Sequence, residues 1–107
     1  MILYSVTITI EADAESEWVN WMKEVHIPEV LQTGCFIECR MYRVHGVDGN
    51  EPAYVMQYQS PSMEEYERYR EQFAPALQKD HTDRFAGRFR GARQVLEEVA
   101  HVLLRAE

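Results

Sequence analysis

The sequence predicts one α+β domain of βαββαβ order, a four-stranded antiparallel sheet with two helices on one face. Three observations predict it. Apolar side chains alternate from Ile2 to Ile10 with the period of a half-buried strand. Trp18, Trp21, Met22 and Val25 fall at i, i+3, i+4 and i+7, one stripe of a helix that must be buried against something. The chain also repeats itself. Trp18, Trp21 and Val25 correspond to Tyr66, Tyr69 and Phe73 at an offset of 48 residues, as do Val6, Thr7 and Ile8 to Tyr54, Val55 and Met56. Pro28 corresponds to Pro75 after a one-residue slip.

In order, the first strand puts Ile2, Tyr4, Val6, Ile8 and Ile10 on its core face and Leu3, Ser5, Thr7 and Thr9 on the other. Asp13 is the expected N-cap of the first helix, with Glu15 and Glu17 in the first turn, where the helix dipole favours negative charge. Pro28 offers no N–H and disfavours the α conformation at Ile27, so the helix is expected to break or kink at His26 and Ile27, restart as a short turn through Val30 and Leu31, and end at Gly34. Cys35 to Val44 reads as a second strand, with Phe36, Glu38, Arg40 and Tyr42 on one face and Cys35, Ile37, Cys39 and Met41 on the other. The turn formers from Gly46 to Pro52 close a hairpin onto a third strand, Ala53 to Ser60. Ser60 as N-cap and Pro61 at the first helical position open a second helix, striped by Met63, Tyr66, Tyr69, Phe73 and Leu77 and interrupted at Pro75. After Gly87, Arg88 to Leu96 supplies the fourth strand. Val95, Leu96, Val99, Val102 and Leu103 also fit a helix; the strand is expected to end near Leu96 or Glu97, leaving the tail beyond about residue 98 without an assigned conformation. A βαβ unit used twice gives the split βαβ, or ferredoxin-like, arrangement.

Length and composition bound the function. At 107 residues and 46% hydrophobic content the chain supports one core and one domain, 1–107. The net charge of −7 opposes sequence-independent binding to nucleic acid or anionic membranes. No run approaches the roughly 20 apolar residues of a membrane span, and the alternating N-terminus is unlike a secretory signal, so a soluble cytoplasmic protein is expected. Cys35 and Cys39, four apart on a strand, are separated by roughly 13 Å, too far for a disulfide. Their spacing also lacks the paired ligands of a zinc site.

With W-x-x-W-M-K-E-x-H-I-P-E-V-L-x-T-G-x-F at 18–36, Y-E-R-Y-x-E-x-F-A-P-A-L-Q at 66–78 and H-T-D-R-F at 81–85, the sequence resembles the family catalogued as domain of unknown function 4286. The resemblance covers nearly the whole chain up to Glu98. It implies a ferredoxin-like fold of the dimeric α/β-barrel type, related to antibiotic-biosynthesis monooxygenases, EthD-like proteins and stress-responsive barrel proteins. It assigns no activity, so no catalytic residue transfers with it. The His26-Ile27-Pro28 segment is similar to the helix-end His-x-Pro of several barrel relatives.

A lone four-stranded sheet leaves its second face bare, here with Ser5, Thr7, Thr9, Glu38, Arg40, Tyr42, Val55, Gln57 and Gln59. A homodimer would cover it, and the buried polar groups would then need partners. Glu38 and Arg40 pairing locally in such an interface is the plainer reading. The sharper one makes Glu38, Arg40, Tyr42 and Gln57 ligand-binding residues and His26, held at a helix corner, the candidate for catalysis. The turn and tail positions of His45 and His101 suggest exposed side chains, and capping by Asp80 or Thr82 accounts for the segment around His81 without a metal. No zinc motif, phosphate-cradling loop or dinucleotide fingerprint is present, and no metal or cofactor is expected. Two classes therefore stand: a dimeric small-molecule-binding protein, with a cofactor-independent monooxygenase or isomerase as its catalytic form, and a non-catalytic dimer. Haem chemistry, used by some barrel relatives, would need a histidine projecting into an open cavity.

Overall fold

The computed structural model describes residues 1–46, 49 and 51–106. Four strands, β1 (Ile2–Ile10), β2 (Glu38–Arg43), β3 (Ala53–Ser60) and β4 (Phe89–Glu97), form one antiparallel sheet in the order β2-β3-β1-β4. Between β1 and β2 lie a 3-10 turn (Ala12–Ala14), α1 (Glu15–Trp21), a π-helical turn (Met22–His26) and α2 (Ile27–Gln32). Between β3 and β4 lie α3 (Met63–Gln72) and α4 (Ala74–Arg84). This is the ferredoxin-like fold. Val47, Asp48 and Asn50 of the expected hairpin turn lie outside the described residues, but β2 and β3 pair antiparallel on either side of it.

The alternation in β1 sorts as read from the sequence. Ile2, Tyr4, Ile8 and Ile10 are buried beneath the helices with Tyr54, Met56 and Tyr58 of β3. The register pairs Tyr4 with Tyr58 and Val6 with Met56, so the core faces of the two strands coincide. Tyr4, Phe36, Tyr58, Tyr66 and Tyr69 form one aromatic cluster, with ring centroids 4.9–6.0 Å apart in the contacting pairs. A second cluster gathers Trp18, Trp21, His26, His81, Phe85 and Phe89.

The first helix does not break at Pro28. Ile27 stays helical (φ −60°, ψ −46°), and its N–H donates to the carbonyl of Met22, five residues back. Proline removes the donor that an α-helix needs at position 28 and crowds the carbonyl of Glu24, and a wider π turn relieves both without ending the helix. Gly34 does terminate it, at φ 80°. In the second half the proline acts as expected: Phe73 leaves the helical region (φ −121°) and Pro75 opens α4.

Other corrections are local. Asp13 sits inside the 3-10 turn and caps nothing; α1 starts after Ala14 without a side-chain cap. Ser62, not Ser60, caps α3, its Oγ accepting from the Glu65 N–H at 3.2 Å. Ser60 is fully buried, and its hydroxyl donates to the Cys35 carbonyl at 3.1 Å. The second strand starts at Glu38. Cys35 and Phe36 are both buried while Ile37 is 60% exposed, because the chain is still turning off Gly34 there and strand alternation has not begun. Residues 98–106 carry no regular structure.

Replacing Ser62 with Ala should destabilise the protein by about 1 kcal/mol, the usual cost of losing a side-chain N-cap. Urea unfolding at pH 7 measures it. An unchanged midpoint would show that the α3 cap is dispensable.

Candidate functional site

The π turn decides which side chain faces inward. In an uninterrupted α-helix Val25 would complete the stripe of Trp18, Trp21 and Met22. The extra residue in the turn moves Val25 outward, to 37% exposure, and brings His26 under Trp21, their rings stacked 5.1 Å apart with an interplanar angle of 25°. Opposite stands His81 of α4, 5.7 Å from the His26 ring. His81 prolongs a row of positions four apart, Phe73, Leu77, His81 and Phe85, on the buried side of the second helical segment. That spacing was the available signal for a residue that sequence reasoning assigned to a capping segment.

Trp18 Nε1 donates to His81 Nε2 at 2.9 Å in the buried core. An indole N–H only donates, so Nε2 must be the unprotonated nitrogen and the proton of neutral His81 sits on Nδ1. Burial pushes the His81 pKa down to about 4, assisted by the positive charges of His26 and Arg93 and opposed by Asp80. Burial also lowers His26, with Asp80 again opposing. Its Nδ1 is buried and has no hydrogen-bond partner.

Both imidazoles border a cavity of about 40 Å³ between the sheet and the helices. A single water needs roughly 10–15 Å³ on the same measure, so the space holds a few waters or the head of a small molecule. The sheet supplies Tyr4, Val6, Met56 and Phe89 to its wall, and the helices supply Met22, His26, Gln78 and His81. Arg93 of β4 completes it at the exposed edge. The arrangement offers an apolar chamber with neutral imidazoles that can donate, accept or take up a proton.

The four residues expected to bind ligand lie elsewhere. The β2–β3 register sets Glu38 opposite Gln59, Arg40 opposite Gln57 and Tyr42 opposite Val55, on the sheet face turned away from the helices and from His26. There Arg40 Nε donates to Glu38 Oε2 at 3.1 Å. Cys39 and Cys35 are free thiols. Burial pushes Cys39 up to about 11, the reverse of what a nucleophile requires. Among the described residues no three His, Cys, Asp or Glu side chains converge on a metal position, and no helix is long and apolar enough to cross a membrane.

The profile of the domain of unknown function DUF4286 matches residues 1–99. The chain belongs to this family. No curated protein matches the sequence. Among solved structures, a dimeric ferredoxin-like protein from an uncultured marine organism superposes on this DUF4286 chain with a TM-score of 0.70 at 14% identity, covering 97% of this chain and 100% of that one. HapK from Hahella chejuensis gives 0.70 at 9% identity, covering 99% and 100%. SnoaB, a cofactor-independent oxygenase from Streptomyces nogalater, gives 0.65 at 11% identity, covering 94% and 96%. At these identities the likeness is one of fold.

The depressed histidines make stability depend on pH. In the unfolded chain His81 takes up a proton near its ordinary 6.5, and in the fold only near about 4. The unfolded state therefore binds more protons between those values, and stability is complete above pH 6.5 and falls as pH drops towards 4, by up to about 3 kcal/mol from this residue. Following the His81 imidazole signals by NMR should give a midpoint near 4; a midpoint near 6.5 would remove the buried neutral ring from the account.

Proposed function

We propose that this protein is a cytoplasmic homodimer that binds a small molecule in the cavity between sheet and helices, with His26 as the group that recognises it. The His26 ring on the wall of that cavity, its Nδ1 buried without a partner, carries the reading. A buried polar atom without a partner costs about 1–3 kcal/mol, and a ligand bearing a donor or acceptor would recover it. Two free cysteines, one of them fully buried, fit a reducing compartment. The outer sheet face supports the dimer: Tyr42 and Leu96 are 46% and 41% exposed there, beside half-buried Leu3 and Val55, an apolar and polar mixture typical of an interface. In this reading Glu38, Arg40, Tyr42 and Gln57 meet the partner, and they contact ligand only where the two sheets leave a gap.

A catalytic version is favoured by one observation: an imidazole held neutral beside the cavity is unprotonated at pH 7 and free to act as a general base, though a weaker one than an exposed histidine. Cofactor-independent oxygenation or isomerisation begins with such a proton transfer, and SnoaB shows that the fold can hold an oxygenase that needs no cofactor. A non-catalytic dimer remains the competing class. Haem fits poorly, since a macrocycle exceeds a cavity of about 40 Å³.

His26→Gln separates these roles, because it keeps size and a hydrogen-bonding end but removes titration. The variant should retain its fold while losing the thermal stabilisation given by a compound that stabilises the wild type. If ligand affinity is untouched and only the melting temperature drops, His26 is a structural corner and the reading is wrong.

Placing Arg at Thr7, in the middle of the outer face, should turn the dimer into a folded monomer in sedimentation velocity. A wild type that is already monomeric throughout the micromolar range would rule out the assembly.

A further inference from the structure

Resting on the binding function above, the inference concerns the charge of the ligand. The cavity wall contains a single charged side chain. Arg93 stands opposite Val6 in the β1–β4 register, which puts it on the helix-facing side of the sheet. None of the ion pairs among the described residues involves it, whereas Arg40, Arg43, Arg68, Arg70, Arg88 and Arg90 each have a carboxylate within 4.0 Å. The other polar groups of the wall are neutral: the phenols of Tyr4, Tyr58 and Tyr69, the Gln78 amide and the two imidazoles. Arg93 also reaches inward electrostatically: its charge adds to the lowering that burial imposes on His81 and opposes the rise that burial imposes on Tyr66 and Tyr69. Asp80 is the acid that acts on both histidines, but it does not line the cavity.

We propose that the ligand is a small organic monocarboxylate, its apolar body against Met56 and Phe89, its carboxylate facing Arg93 and His26 within hydrogen-bonding reach. The planar guanidinium matches a carboxylate in shape and can bond it twice. One cation without a phosphate-cradling loop suits a single negative charge better than a phosphate dianion, which normally collects several donors. In a chain of net charge −7 the general field repels anions, so anion uptake here has to come from the local charge.

The test titrates full-length protein with benzoate and phenylacetate, and in parallel with their neutral amides, following the Met22 and Met56 methyl and His26 imidazole signals by NMR. The acids should shift these signals and bind more tightly than the amides. Arg93→Gln should weaken the acids roughly tenfold, the scale of one charge-assisted contact, and leave the amides unchanged, with Arg93→Lys in between. Arg93 is exposed and unpaired among the described residues, so these variants should fold. Amides that bind as well as acids, or acids indifferent to Arg93→Gln, would overturn the monocarboxylate assignment and leave the binding function standing. If neither class shifts the cavity signals, the binding function itself fails, and this inference with it.

Discussion

One missing hydrogen-bond donor organises the site. Pro28 cannot give its N–H to Glu24, and the chain answers by widening one turn, with Ile27 reaching back to Met22. Because the helix continues, α2 still packs Val30 into the core and still ends at Gly34. Because one residue is added to the turn, the inward position passes from Val25 to His26. An aliphatic contact is thereby replaced by an imidazole stacked on Trp21. An unperturbed α-helix would have left that ring at the edge of the stripe, following Met22; the π turn sets it directly over Trp21, five residues back.

The surroundings of the facing imidazole, His81, suppress charge. Trp18 occupies Nε2 of His81 as a donor, which fixes one tautomer and makes protonation at that nitrogen cost a buried hydrogen bond. The nearest aromatic neighbours, Trp21, Phe85 and Phe89, leave little to solvate an imidazolium. The polar residues of the opposite sheet face are of another kind, with Glu38 and Arg40 neutralising each other at the surface. The two faces of the sheet thus differ in kind: the helix side lines the cavity, and the far side carries the exposed Glu38–Arg40 pair.

Most of the fold was legible in the sequence because period-2 alternation and the aromatic stripes are set by burial, which composition records directly. The strand faces of β1 and β3 and the position of β4 followed from it. What escaped depended on backbone detail. Proline's effect on a helix has two outcomes, a break or a widened turn, and the local sequence does not choose between them; here Trp21 before the turn and Val30 after it are both buried. Ser62 and Glu65 form a capping pair that was readable, but the Ser60-Pro61 pair competed with it, and Ser60 was decided by a tertiary bond to Cys35 that no local pattern carries. His81 was hidden because a polar letter in an apolar row is easily taken for a surface residue. The cavity and the pairing of the two histidines depend on how α4 docks against α1, a long-range fact.

The one-residue slip between the two halves acquires a meaning from this. The first half has one more residue than the second between its aromatic pair and its proline, and the π turn is where that residue is accommodated. At the equivalent place in the second half stand Phe73 and buried Ala74, with a break and no imidazole. His26 and His81 are therefore unrelated by the internal repeat: one arises from an irregular turn, the other from the far end of a regular helix. A nearly twofold scaffold is thereby chemically asymmetric, its two imidazoles coming from positions that the repeat does not match.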